Sequence, residues 1–228
     1  MPEPQIYVQD YVKPEKIRHS STTKKHAPKL GNPTPLGLSS FAICMMVSGF
    51  YNFRAFGVNE PNVMVGLCLF TGGIVQFAAG MWEFKVGNTF GGTGFSAFGG
   101  FWASLGVIFI PSFGILDAFR DGDNFKEAEF HNAMAVFTLA WLIFTIIFTI
   151  ACIRTSVGVL SAFVFLTMTF ANEVIYHFTG GVDLFIKAAG ISGLLCSGAV
   201  WYCLGATFLT PDLSPISLPL WDLSHKEN

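Results

Sequence analysis

Residues 82–102 read Trp-Glu-Phe-Lys-Val-Gly-Asn-Thr-Phe-Gly-Gly-Thr-Gly-Phe-Ser-Ala-Phe-Gly-Gly-Phe-Trp. This stretch joins two apolar segments and contains Glu83, one of the few carboxylates beside such a segment. In a helix that begins near residue 90, small residues recur four apart, at Gly92, Ser96, Gly100 and Ser104. That spacing lets the backbone of a second helix approach closely. Phe98 lies two residues off the row, so we predict that it presents its ring on the opposite face.

The composition outside this stretch is that of a membrane protein. Of the 228 residues, 52% are hydrophobic and 12% are charged, whereas soluble domains are about 25% charged. Several runs approach the roughly 20 apolar residues that cross a bilayer as a helix. We predict an all-α membrane protein with six transmembrane helices, at residues 35–53, 62–82, 90–111, 132–151, 157–175 and 184–207. Thr34 is expected to cap the first helix, with Pro35 at its first position.

The charges divide the chain into two tails and a membrane domain. Residues 1–31 contain four prolines and six of the thirteen Lys and Arg residues, which predicts a disordered basic tail. Residues 32–207 form the transmembrane domain, and residues 208–228 form a C-terminal tail. The tails and the connections on their side hold nine basic residues, against four on the other side. The positive-inside rule then predicts that both termini are cytoplasmic, although the N-terminal tail alone carries this bias.

Several functional classes lack the residues that they need. The five cysteines form no CxxC pair, and the five histidines show no spacing typical of metal ligands. There is no P-loop motif, no nucleophile paired with a base, and no basic patch interleaved with aromatic residues. We therefore expect neither an enzyme nor a nucleic-acid-binding protein, and we expect no metal site and no cofactor.

Polar residues in or beside the apolar spans are the candidates for transport, because polar atoms are costly in hydrocarbon. Glu83 is either a titrating or substrate-attracting carboxylate at a pore mouth, or an interfacial residue paired with Lys85. Four further residues are interpreted singly as helix caps or interhelical contacts: Gln76, Asn88, Asn172 and Glu173.

One face of the first span is small and polar, and therefore faces the bundle or a wet path. It comprises Thr34, Gly37, Phe41, Cys44, Ser48 and Tyr51, which follow a three/four spacing. Phe41 is the one large, wholly apolar side chain on this face. A phenylalanine in that position can close a path by dewetting it.

The sequence at the start of this span resembles a known family. Residues 32–38, Asn-Pro-Thr-Pro-Leu-Gly-Leu, are similar to the Asn-Pro-Ala-Pro-Leu-Gly-Leu motif of the acetate uptake transporter family, which includes the bacterial succinate–acetate permeases. The signature residues are Asn32, Pro33, Pro35, Leu36 and Gly37; Thr34 stands where the family usually has alanine. Residues 87–93 and 218–223 also resemble that family, and its fungal branch most closely.

The resemblance implies six helices per subunit around a pore, assembled as a homo-hexamer in membrane lipid. It also implies transport of acetate and related short carboxylates, usually coupled to protons, and links the fungal branch to export of ammonia or ammonium. The family's constriction falls on Phe41, Phe98 and Leu166, and its helix 3 residue is commonly tyrosine in bacteria. The family's carboxylate falls on Glu83, with Asn32 at the pore mouth and Asn88 in a structural or mouth role.

Three hypotheses follow from these patterns. The first is a plasma-membrane transporter of acetate and similar short-chain carboxylates, with Glu83 as a proton relay, because a ring of apolar side chains passes a neutral acid better than an anion. The second is an ammonia or ammonium channel, because the same constriction passes a small neutral molecule. The third is a membrane sensor or scaffold that acts through its tails.

Overall fold

Residues 30–58 and 60–224 contain a bundle of six long helices. The computed structural model describes residues 30–58 and 60–224, so most of the predicted tail 1–31 and residues 225–228 lie outside the described residues. The helices are α1 Thr34–Asn52, α2 Pro61–Lys85, α3 Thr89–Ile108, α4 Glu127–Ala151, α5 Val157–Phe178 and α6 Asp183–Phe208. The predicted all-helical fold is therefore confirmed, with each helix end within five residues of its predicted position.

Five of the six helices, all except α3, are long and apolar enough to cross a membrane. Helix α3 has 20 residues, but six of them are glycines, which contribute little hydropathy. It lies along α2, and it buries Phe98, Phe101 and Trp102 in the core. The glycines of α3 therefore allow close packing against neighbouring helices, but they lower the mean hydropathy of this helix.

Helix α2 changes its geometry along its length. It starts with a 3₁₀ turn at Pro61–Val63 and an α-helical turn at Met64–Gly66, continues as a π-helix at Leu67–Val75, and ends as an α-helix at Gln76–Lys85. A π-helix bonds each amide to the carbonyl five residues back and is often found near functional sites. The apolar pattern of this segment did not predict it.

Helices α1 and α6 pack closely through small residues. A Cβ atom on Gly190 would lie 2.5 Å from the backbone nitrogen of Phe53, so only glycine fits there without movement. Farther along α6, the Ser197 hydroxyl donates to the Ala42 carbonyl at 2.9 Å. Small residues on α6 thus permit this contact, in the manner usual for membrane helices.

The prediction that a row of small residues on α3 contacts another helix is correct for only part of the row. A Cβ atom on Gly92 would meet the Phe84 ring of α2, but Gly100 and Ser104 are exposed. Helix α3 instead meets α2 through Gly99, whose added Cβ atom would lie 2.9 Å from the Phe77 nitrogen. The reason is geometric, because each step of four residues turns about 40° beyond one full turn. Over three such steps, the row turns around α3 and away from its contact with α2.

Helix α4 begins at Glu127, five residues before the prediction. Two carboxylates, Glu127 and Glu129, lie in its first turn, where the helix dipole favours negative charge. A short hairpin precedes it, with β1 at Arg120–Asp121 and β2 at Asn124–Phe125. Residues of the acidic segment therefore form the first turn of α4, before its apolar part begins.

The chain after α6 folds back against the start of α5. The Val157 amide donates to the Trp221 carbonyl at 3.0 Å, and the Leu223 amide donates to the Thr155 carbonyl at 3.0 Å. Tyr202 on α6 stacks on Trp221, with ring centroids 5.5 Å apart. We call residues 211–223 the C-terminal segment.

Candidate functional site

The signature residues shape the start of α1. The Asn32 side-chain oxygen accepts a hydrogen bond from the Thr34 amide at 3.1 Å, which fixes the turn into the helix. Pro33 is buried, and Pro35 lies in the first turn, where its missing N–H removes no helical bond. A Cβ atom on Gly37 would overlap the Phe95 ring of α3. The motif thus starts the helix and lets α3 approach it.

Glu83 lies at the centre of a hydrogen-bonded cluster that joins three helices. Its side chain is 1% exposed. The Thr34 hydroxyl donates to Oε1 at 2.5 Å, and the Asn88 amide donates to Oε2 at 2.7 Å. Thr34 therefore binds Glu83 rather than capping α1, and the partners of Glu83 are neutral donors rather than Lys85. We call Thr34, Glu83 and Asn88 the carboxylate cluster.

Asn88 also holds the start of α3. Its side-chain oxygen accepts a hydrogen bond from the Gly91 amide at 3.0 Å, so it caps the helix as predicted. A Cβ atom on Gly91 would lie 2.5 Å from Asn88 Nδ2 and 3.2 Å from Glu83 Cδ. Glycine at this position therefore leaves room for the carboxylate cluster.

A cavity of about 350 Å³ connects the carboxylate cluster to the predicted constriction. Thr34 and Asn88 line it at one end, and it also contacts Phe41, Phe98 and Leu166. Leu220 of the C-terminal segment forms part of its wall. One water occupies about 30 Å³ in the liquid, so this space has room for a small carboxylate together with several waters. We call it the Thr34 cavity.

The three predicted constriction residues come together in the bundle core. Phe41, Phe98 and Leu166 are 7%, 3% and 2% exposed. The rings of Phe41 and Phe98 meet edge to face, with centroids 5.6 Å apart, and Phe41 makes a similar contact with Trp102 at 6.3 Å. Three helices thus contribute an apolar barrier at the inner wall of the Thr34 cavity.

Gln76 is a polar group in the core, and it differs from its prediction. It is fully buried, and within the described residues neither its side-chain oxygen nor its nitrogen has a hydrogen-bond partner. It therefore packs between helices without making an interhelical hydrogen bond. Buried polar atoms are normally satisfied, so this amide can bind water or a polar solute.

A second cavity, of about 290 Å³, lies toward the opposite ends of the helices. It is lined by the last turn of α1 and the first turns of α2, and no residue that lines it also lines the Thr34 cavity. Glu173 contributes a carboxylate to it and accepts a hydrogen bond from the Asn52 amide at 3.0 Å. We call it the Glu173 cavity.

No pattern in the sequence predicted the Glu173 cavity. Its polar lining includes Glu173, Tyr176 and His177, and Arg54, which forms an ion pair with Asp183 at 2.6 Å. One signal was available, because Glu173 and His177 are four residues apart on one face of an apolar span. The Asn52–Glu173 bond joins residues 121 positions apart, and no local pattern indicates it.

The five cysteines are free and buried, as expected of small core residues. Cys44 donates weakly to the Leu67 carbonyl at 3.6 Å, at the start of the π-helix. Within residues 30–58 and 60–224, no group of three or more metal-ligating side chains converges. The cysteines therefore pack the helices against one another.

Together, the six helices, the two cavities and the buried rings of residues 30–58 and 60–224 are those of a multi-pass helical membrane protein. Residues 16–225 match the GPR1/FUN34/yaaH family, and the chain belongs to that family. The resemblance to acetate transporters in the signature motif is therefore confirmed.

Relatives with known descriptions agree with this assignment. The chain is 41% identical over 196 residues to "Ammonia transport outward protein 2" of Saccharomyces cerevisiae, covering 84% of this chain and 68% of that protein. It is 38% identical over 181 residues to "Acetate permease A" of Emericella nidulans, covering 77% and 61%. Across these and two other fungal relatives, the chain spans between 56% and 68% of the relative's length.

A solved structure has the same fold. The structure described as "Structure of the bacterial acetate channel SatP" superposes with a TM-score of 0.71 at 30% sequence identity. The match covers 84% of this chain and 99% of that one. These three relatives are thus described as transport proteins or as a channel, and none of the three is described as an enzyme.

Proposed function

We propose that this chain is a plasma-membrane transporter of acetate and related short-chain carboxylates, and that it couples their movement to protons. The family membership and the descriptions "Acetate permease A" and "acetate channel" support the substrate class. The observation that carries the proposal is the Thr34 cavity, because it runs from a buried carboxylate cluster to an apolar barrier.

The barrier favours a neutral solute. Phe41, Phe98 and Leu166 offer no hydrogen bond to an anion, and moving an unpaired carboxylate into apolar surroundings is very costly. Acetate is almost entirely ionised at neutral pH, because its acidity resembles that of a glutamate side chain. A proton must therefore join the anion before it passes the rings.

Carboxylates in the two cavities can exchange that proton. With both termini cytoplasmic, the Glu173 cavity lies on the outer side and the Thr34 cavity on the cytoplasmic side. Thr34 and Asn88 line the Thr34 cavity, and both bind Glu83 directly. In the proposed step, Glu173 passes a proton from the outer medium to a carboxylate in its cavity. The neutral acid crosses the barrier, and Glu83 takes its proton through the Thr34 hydroxyl or a water and releases it to the cytoplasm.

Labelled acetate uptake into liposomes that contain only this protein tests the proposal. We expect uptake above bare liposomes, and accumulation only when an inward proton gradient is present. Bare liposomes are required as a control, because neutral acetic acid crosses lipid unaided. No protein-dependent uptake under either condition would contradict the proposal.

Two variants examine the barrier and the relay separately. Phe41→Trp adds volume where the rings already meet, so we expect uptake to be lost; Phe70→Trp, at a 64% exposed position on α2, is the matched control.

Glu83→Gln cannot carry a proton, so we expect uptake to lose its response to the proton gradient. Glu60→Gln, at an exposed position, should retain that response. Unchanged gradient dependence in Glu83→Gln would make the relay wrong.

The assembly and orientation extend the proposal. We infer a homo-hexamer with both termini cytoplasmic, a basic N-terminal tail at residues 1–31 and a cytoplasmic C-terminal tail at residues 208–228. Gly100 and Ser104 face outward on α3 and allow close approach of another subunit, which supports association. Native mass spectrometry of the purified protein and protease accessibility of the tails in sealed vesicles test these two points.

Ammonia or ammonium is a second candidate substrate. The relative described as "Ammonia transport outward protein 2" favours it, and the barrier also admits a neutral amine. The discriminating measurement is methylammonium flux in the same liposomes without any carboxylate. Flux of methylammonium together with no acetate uptake would replace the first proposal by the second.

A further inference from the structure

Two histidines distant in sequence meet beside the Glu173 cavity. His131 lies near the start of α4 and His177 at the end of α5, and their Nδ1 atoms are 3.0 Å apart. Both side chains are half-buried, and His177 lines the cavity. The transport path proposed above does not use either ring. The pair therefore needs a separate explanation.

The facing nitrogen atoms form an arrangement that a metal ion can occupy. A neutral imidazole carries one N–H, so one Nδ1 donates to the lone pair of the other. A tetrahedral zinc ion with Zn–N bonds of about 2.0–2.1 Å holds its ligand nitrogens about 3.4 Å apart. The two rings need to separate by only a few tenths of an ångström. The displaced proton moves to Nε2 of the same ring, so both histidines remain neutral and each offers one lone pair.

The charges around the pair favour a cation. Glu173 lies one helical turn before His177 on α5, and its only partner in the described residues is the neutral Asn52 amide. Arg54, the basic residue that lines the cavity, is paired with Asp183 at 2.6 Å, and Lys187 approaches the same carboxylate at 3.4 Å. The Tyr176 ring packs on His131, with centroids 5.5 Å apart. Among the described residues that line the cavity, Glu173 is thus a carboxylate without a basic partner, whereas the Arg54 charge is offset by Asp183.

We propose that His131 and His177 bind a divalent transition-metal ion of the zinc class, and that the bound ion blocks passage of carboxylates through the Glu173 cavity. Imidazole ligands suit zinc, copper and nickel. Within the described residues no third metal-ligating side chain joins the pair, so water completes the coordination shell. A passing carboxylate can replace one water and be held by the ion, because zinc also accepts carboxylate oxygen.

Zinc binding by the full chain without a polyhistidine tag tests the site itself. Isothermal titration with zinc chloride, in the absence of acetate, compares the native protein with His131→Gln, His177→Gln and the control His225→Gln. We expect one zinc ion per chain, binding at least about tenfold weaker in the first two variants, and unchanged binding in the control. Equal affinity in all four proteins, or no saturable binding, would overturn the proposal.

A second variant covers the case in which a glutamine variant does not fold. His177→Cys retains a ligand for metal, and its cobalt complex should gain a thiolate-to-metal charge-transfer band that the native cobalt complex lacks. Absence of that band from folded His177→Cys protein counts against coordination at this position.

Acetate uptake tests the block. Zinc should inhibit uptake by the native protein and should not inhibit His131→Gln or His177→Gln at the same concentration. Zinc that binds with unchanged uptake would overturn the block. Because the titration needs no substrate, failure of the acetate proposal would leave the binding result intact and distinguishable.

Discussion

Replacing Thr34 by alanine tests whether Glu83 controls the proton step. Thr34 donates to Glu83 Oε1 at 2.5 Å, and the carboxylate is 1% exposed, so water cannot readily replace the lost bond. A hydrogen bond to a charged group contributes about 1.5–3 kcal/mol. Since about 1.4 kcal/mol corresponds to a tenfold change in an equilibrium constant, losing this bond reduces the population of the intact carboxylate cluster by about ten- to one-hundredfold. The family motif usually has alanine here, so the variant should fold.

The assay is acetate uptake into liposomes across a series of pH values, with bare liposomes subtracted at each one. Uptake should fall by about ten- to one-hundredfold across the profile in Thr34→Ala, because Glu83 loses the donor that holds it in position to relay the proton. Thr34→Ser keeps the hydroxyl and should leave the profile nearly unchanged. An unchanged profile in Thr34→Ala, with equal protein in the membrane, would refute the view that the carboxylate cluster controls the proton step.

Two further predictions concern packing and access. Gly37→Ala places a methyl group on the Phe95 ring, so we expect a smaller monodisperse fraction by size-exclusion chromatography. Gly66→Ala, which has open space around the added methyl group, is the control. Equal monodisperse fractions for the two variants would contradict close packing at Gly37. Removing residues 211–228 deletes Leu220 from the wall of the Thr34 cavity, so maleimide should modify Cys203 in that cavity faster. Cys68, in the Glu173 cavity, should react at its original rate, and an unchanged rate at Cys203 would argue that the C-terminal segment does not cover it.

The sequence predicted the helices well because apolar length is a local property. All helices except α4 begin within one residue of their predicted starts. Pro35 marks the start of α1, and Ser156 caps α5. The start of α4 was missed because its first turn is acidic rather than apolar. The row on α3 failed at Gly100 and Ser104 because a constant spacing of four residues drifts around a helix.

The candidate site was predicted only where the family resemblance supplied it. Phe41, Phe98 and Leu166 do converge, but composition and periodicity alone gave no reason to join three residues from three helices. The hydrogen bond from Thr34 to Glu83 joins residues 49 positions apart. It gives Thr34 a tertiary partner, whereas the position of Thr34 in the sequence indicated a helix cap. The Asn52–Glu173 bond and the histidine pair likewise depend on tertiary packing, which no single helix encodes.

The π-helix in α2 makes this segment tolerant of a change in chain length. A π-helical turn holds about one residue more than an α-helical turn, because its hydrogen bonds run to the carbonyl five residues back instead of four. Deleting one residue from Leu67–Val75 therefore lets a wide turn close into an α-helical turn, while the residues beyond it keep roughly their original faces. The same deletion at the start of the α-helical part, Gln76–Lys85, would rotate every later residue of that helix by about 100°. Glu83 would leave the core in the second case and stay buried in the first, although it had been altered in neither.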